Sequence, residues 1–266
     1  MKKAIEAIGI ISGLITIIEW VKNWISGTNL FSPLGIGCLS TCIFCLFLLV
    51  LFYKKKTRYT IYKYVSHYFR RPNLPYYLSE KEIVYTYKSL QEMRYQKKIT
   101  LIAKVDGLSS FKGKFRWSKP QELSKYKVLC LSPHNKLTLG RDTTWNTYTV
   151  EFAPAPKGGK RVVDILIDDL KDPNREAVPF CSASIVEHTE MLRIKIDLED
   201  NLQFDLDSIR FSVYNNAAST FPILEDAYST SGKRSIIECD REGKHLSITE
   251  KFPVFGYKYQ ISWNFK

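Results

Sequence analysis

Between residues 111 and 148, basic and aromatic side chains interleave: Lys112, Lys114, Arg116, Trp117 and Lys119, then Arg141, Trp145 and Tyr148. Aromatic faces stack on bases, and cationic side chains grip phosphates. Lys112, Lys114, Arg116, Arg141 and Trp145 are therefore the candidate ligand-binding residues for an anion. Strand alternation puts Lys112, Lys114 and Arg116 on one face and Phe111, Phe115 and Trp117 on the other. The same pattern also describes a solvated strand face over a core.

Other chemistry is sparse. The chain has no G-x-x-x-x-G-K-[ST] loop, no H-E-x-x-H and no G-x-S-x-G. His67, His134, His188 and His245 are isolated in sequence, which suits turn or surface positions. Asp164, Asp168 and Asp169 form an acidic cluster that reads as a solvated turn before it reads as a metal site. Cys130, Cys181 and Cys239 are scattered, without metal-ligand spacing or a disulfide framework. The expectation is a protein that is not an enzyme and uses no metal or cofactor.

A second constellation lies near the N-terminus. Glu6, Gly9, Gly13, Thr16 and Trp20 recur at spacings of three and four, one face of a helix. Gly9 and Gly13 make a small-xxx-small pair, which lets helices approach closely in lipid. The stripe packs two helices of one hairpin, or it drives a homo-oligomer whose polar face lines a pore.

The elements that would carry these residues fall into three parts. Residues 34–53 hold no charge and are followed by Lys54, Lys55, Lys56 and Arg58. Twenty apolar residues at about 1.5 Å rise cross a hydrocarbon core of about 30 Å. With a first apolar helix over 4–25, residues 1–53 read as a transmembrane helical hairpin. Lys2, Lys3 and the basic block after residue 53 place both termini in the cytoplasm, hence a multi-pass bacterial inner-membrane protein. Residues 54–78 read as a basic juxtamembrane arm against anionic lipids.

Residues 79–266 read as a β-rich cytoplasmic domain, a sandwich or a barrel, with a division near residue 175 left open. Ser79-Glu80-Lys81-Glu82 suits a capped helix start, and 83–93 fits a helix or a strand. Strands are expected at 98–105, 111–117, 128–132, 147–152, 162–167, 183–187, 192–198, 209–214, 235–239, 245–249 and 257–265. The net charge of +12 is uneven: +9 over 54–98, +8 over 99–161 and −6 over 162–266. The first of these excesses suits the anionic membrane surface, so an anionic ligand of the β domain is expected to use the basic residues of 99–161 and not the net-acidic 162–266 segment.

Two N-terminal membrane helices and a β-rich domain without a catalytic motif resemble bacterial two-transmembrane β-barrel effectors of cyclic-oligonucleotide anti-phage systems. That resemblance is architectural and transfers no ligand residue. It implies a nucleotide signal, cyclic or linear, sensed by the β domain. It also implies an ion channel, pore or other membrane-disrupting oligomer, and a nucleotide-synthesising enzyme as genetic partner. The alternative is a membrane-anchored interaction module that recruits a protein partner and forms no pore.

Overall fold

A computed structural model describes residues 40, 43, 45, 55–69, 72–115, 126–142, 145–171, 179–199, 202–228 and 236–266. The chain divides into two compact units, Met1–Lys54 and Lys55–Lys266. Of the first unit only Ser40, Ile43 and Cys45 are described, all helical.

The second unit opens with helix α1 (Lys55–Phe69), followed by β1 (Tyr76–Tyr87), β2 (Glu92–Ala103), β3 (Leu108–Phe115) and β4 (Lys127–Cys130). Then come β5 (Lys136–Arg141), β6 (Asn146–Ala155), β7 (Lys160–Lys171), β8 (Phe180–Ser184) and β9 (Met191–Leu198). The unit ends with β10 (Phe204–Tyr214), β11 (Leu224–Ala227), β12 (Ile237–Cys239), β13 (His245–Lys251) and β14 (Lys258–Phe265). These strands form three sheets: a large one in the order β12-β13-β9-β1-β2-β7-β4, and two small ones, β11-β10-β14-β8 and β3-β6-β5.

Period-two patterning builds the large sheet. In β9, Leu192, Ile194, Ile196 and Leu198 are buried while Arg193, Lys195 and Asp197 alternate with them. β1 lies at the centre, antiparallel to β2 and parallel to β9. A parallel neighbour needs a crossover connection. Here the chain leaves β8 in one small sheet, passes through Val186–Thr189 and enters β9 beside β1. Leu78 donates its N–H to the His188 carbonyl and accepts from Glu190 N–H, which fixes that crossover against β1.

The buried apolar residues form two clusters. One joins β9, β10, β13 and β14 around Phe204, Phe211, Tyr259 and Trp263. The other joins β2, β3, β6 and β7 around Ile99, Phe111, Tyr148 and Ile165. Tyr85, Tyr87 and Tyr95 border both. Two small sheets packed side by side on one large sheet leave a seam between them, and these tyrosines line it.

The sequence reading of a membrane hairpin plus a β domain is corrected to a mainly-β fold. Among the described residues no helix is long and apolar enough to cross a membrane. α1 has only 15 residues, about 22 Å at the usual rise, and carries Lys55, Lys56, Arg58 and Lys63. Its Tyr59 is buried against the β domain, donating to Glu250 Oε1 at 3.0 Å and sharing a 3.0 Å hydrogen bond with the Tyr259 hydroxyl. Lys63 pairs with the same glutamate, and Tyr62 stacks on Tyr257. A helix committed to a protein surface in this way does not present those tyrosines to lipid headgroups. The multi-pass inner-membrane placement, the cytoplasmic termini derived from it and the channel character are withdrawn with the hairpin. Glu6, Gly9, Gly13, Thr16 and Trp20 lie outside the described residues, as does most of 1–53.

The β part differs from a single barrel or two-sheet sandwich in having three separate sheets. Each strand expected from the sequence overlaps an observed one, with ends displaced by up to six residues. β5 and β11 were not expected, because they are short and largely exposed. The capped helix at 79–82 is also corrected. Those residues lie within β1, where cross-strand partners on both sides override a local capping pattern.

Candidate functional site

The seam holds a cavity of about 1070 Å³, at the large end of the range for small-molecule sites. Its floor comes from alternate residues of two adjacent strands: Lys81, Ile83, Tyr85 and Tyr87 of β1, and Met93, Tyr95 and Lys97 of β2. One wall is β3 and β6, with Gly113 and Tyr148. The other is β8 and the crossover, with Ser182, Ser184 and Glu187. Leu90, Phe180 and Val186 form an exposed apolar rim.

Three charged side chains are buried here, Lys81 at 3 % exposure and Lys97 and Glu187 at 7 % each. Lys81 Nζ donates to the Ser184 carbonyl at 3.0 Å and to Glu187 Oε2 at 3.3 Å. An ammonium has three donors, so one N–H of Lys81 has no acceptor among the described residues. Lys97 Nζ has no acceptor among the described residues. It lies 5.7 Å from the Tyr148 ring centroid and 5.9 Å from that of Phe111. The Tyr148 hydroxyl is buried and also lacks a partner among the described residues.

The electrostatics follow from this geometry. Burial pulls both lysines below the usual ammonium range, opposed in each case by Glu187. Burial pushes Glu187 up, but Lys81 and Lys97 outweigh it and hold the carboxyl below its ordinary value. Burial also pushes up the Tyr148 and Tyr95 phenols, with Glu187 adding to both effects. At neutral pH the tyrosines are therefore hydroxyl donors, and Glu187 is the cluster's one carboxylate. Buried lysines and a buried hydroxyl without a partner among the described residues leave donors that can receive the acceptor atoms of an anionic or polar group.

The structure places the sequence-derived candidates unevenly. Lys112, Lys114 and Trp145 line this groove, with Lys114 Nζ 4.9 Å from the Trp145 ring centroid. Register puts Lys112 and Lys114 on the sheet face opposite Gly113 and Tyr148, so they flank the groove from outside its buried end. Arg141 is exposed at the end of β5, opposite Asn146, and does not join them. Arg116 lies outside the described residues. Lys81, Lys97, Tyr148 and Glu187 were not singled out from the sequence. One signal was available: Lys97 is in phase with Tyr95, Ile99 and Leu101, so it sits on the apolar face of its strand.

The acidic cluster lies on β7 and not in a turn: Asp168 and Asp169 join an ion-pair network, while Asp164 accepts from Gln96 Nε2 at 2.9 Å. Asp168 accepts both Nε and a terminal nitrogen of Arg94 at 3.3 Å, and Lys88 Nζ at 2.9 Å. Burial raises the Asp168 carboxyl, but the hydrogen bonds from Lys88 and Arg94 outweigh it and bring it down to about 2. A carboxylate depressed on folding stabilises above its unfolded pKa and loses that contribution as pH falls through the folded value. Asp168→Asn should therefore melt about 2–4 °C lower at neutral pH, as for the loss of ~1 kcal/mol. The gap should close between about pH 4 and pH 2. Thermal scans across that window check it; a gap independent of pH would show that the charge is not responsible.

No family model matches the chain, and no curated protein matches it. Among solved structures, a candidate protease from Parabacteroides distasonis is similar at 8 % identity and a TM-score of 0.46, over 71 % of this chain and 40 % of that one. The M1 zinc metallopeptidase from Deinococcus radiodurans is similar at 10 % identity and a TM-score of 0.35, over 71 % of this chain and 42 % of that one. A mutant of that enzyme gives 9 % identity and a TM-score of 0.37. This chain thus spans less than half the length of each of the three.

Proposed function

We propose that the β unit is the sensing part of a nucleotide-regulated effector, of the kind that the resemblance to anti-phage systems implies, and that its signal binds in the seam groove. One observation carries the reading: two buried lysines and a tyrosine hydroxyl without a partner among the described residues line one cavity together with aromatic rings. Phosphate oxygens suit the ammoniums and the hydroxyl, and bases suit the rings. Ligand-driven self-association, and a nucleotide-synthesising enzyme encoded nearby, belong to the same proposal. The role assigned is binding, not catalysis.

A second reading has its own support. The exposed rim of Leu90, Phe180 and Val186 suits an apolar segment of a protein partner. The β unit would then be an interaction module that recruits a protein.

Calorimetric titration of the full chain with cyclic and linear di- and trinucleotides tests the first reading. Binding should weaken as salt rises. Lys97→Met should weaken it about ten- to hundred-fold, the loss expected for one charge-assisted hydrogen bond of about 1.5–3 kcal/mol. The same variant should melt no lower than the parent, since it removes a buried charge that has no acceptor. Absence of binding by every nucleotide, or affinities indifferent to Lys97→Met, would reject the nucleotide reading in favour of the protein-binding one.

A further inference from the structure

The buried end of the groove has a defined charge capacity. Two ammonium groups, Lys81 and Lys97, face one carboxylate, Glu187, and all three are more than nine-tenths buried. The other lining acid is Glu92, which is tied to Lys88 at 3.0 Å in the β1–β2 turn. Lys112 and Lys114 are exposed and solvated. With both lysines protonated, the buried end carries one uncompensated positive charge.

We infer that Glu187 is a specificity-determining residue, limiting the buried end of the groove to one negative charge and so favouring a phosphodiester over a terminal phosphomonoester. The inference rests on the nucleotide reading above. A phosphodiester is a monoanion and matches the single excess charge. A terminal phosphomonoester near neutral pH carries between one and two charges, because its second pKa is about 6. Its second charge would enter a water-poor site already holding Glu187, where like charges are costly. The position of Glu187 has a structural cause. The crossover from β8 to β9 is pinned to β1 by the Leu78 hydrogen bonds, which sets the carboxylate opposite Lys81.

The test uses two ligands that share base and sugar: 3′,5′-cyclic AMP, a monoanion, and 5′-AMP, largely a dianion at pH 7.5. Both are titrated into the full-length chain. The expected result is at least ten-fold tighter binding of the cyclic nucleotide by the parent protein. Glu187→Gln should erase or reverse that preference by strengthening 5′-AMP. Lys97→Gln, which keeps the Lys81–Glu187 pair, should weaken both ligands and widen the preference. The parent ratio decides the matter alone if Glu187→Gln fails to fold. Equal or tighter binding of 5′-AMP by the parent overturns the inference and leaves the nucleotide reading standing, as does a ratio unmoved by Glu187→Gln. Binding of neither ligand overturns the inference, while the di- and trinucleotide titrations decide the nucleotide reading.

Discussion

Lys81→Met should lower stability by about 3 kcal/mol, the lower end of the cost of breaking a buried ion pair. For a unit of this size that corresponds to roughly 6–12 °C in melting temperature. Lys81 Nζ lies 3.3 Å from Glu187 Oε2 and 3.0 Å from the Ser184 carbonyl, and both charged residues are buried. Without the lysine, Glu187 keeps only the more distant Lys97 as a compensating cation, which places the cost at the low end. The double variant Lys81→Met, Glu187→Leu should recover most of the loss, because an apolar pair of similar volume carries no desolvation penalty. The coupling between the two changes, measured by denaturant unfolding, separates the ion pair from loss of lysine packing. A single variant that melts within a degree or two of the parent would mean that Glu187 is not held by Lys81. The charge balance of the groove would then have to be redrawn.

Much of the β architecture was legible because alternation is a backbone property. Leu192, Ile194, Ile196 and Leu198 announce β9, and Tyr259, Ile261 and Trp263 announce β14; all are fully or nearly buried as expected. What local patterns could not supply was the partner of each strand. Ser79-Glu80-Lys81-Glu82 has the chemistry of a helix start, yet it runs as β1 because β2 and β9 satisfy its backbone from both sides. The candidate site was legible only in part for the same reason, since Lys112, Lys114 and Trp145 line the groove but its buried residues went unnoticed. Interleaved basic and aromatic residues do include a pair that meets, Lys114 over the Trp145 ring. The buried cluster instead joins β1, β2, β6 and a crossover segment, contributing Lys81, Lys97, Tyr148 and Glu187 from positions that together span more than 100 residues. Only topology brings them together. The N-terminal reading went astray differently. It weighed length and apolarity over 1–53, of which only Ser40, Ile43 and Cys45 are described, whereas α1 is short, basic and fastened to the β unit through Tyr59 and Lys63.

Gly113→Ala should cost about 1–3 kcal/mol, as over-packing of a filled core does. Gly113 pairs across the sheet with Tyr148, whose ring lies over the bare glycine backbone. A methyl group at position 113 would come within 2.5 Å of Tyr148 Cζ, Oη and Cε2, so the ring must move. It has little room, because Tyr148 is 2 % exposed and packed beside Phe111. An aromatic laid across a cross-strand glycine is a recognised way to restore packing where a strand lacks a side chain. Displacing the ring also displaces the one buried hydroxyl that opens on the groove without a partner, so nucleotide affinity should fall along with stability. Tyr148→Leu removes the three atoms that clash. In that background Gly113→Ala should cost no more than about 0.5 kcal/mol, the scatter expected of uncoupled sites. Equal costs of Gly113→Ala in both backgrounds would show that the tyrosine ring does not rest on this glycine.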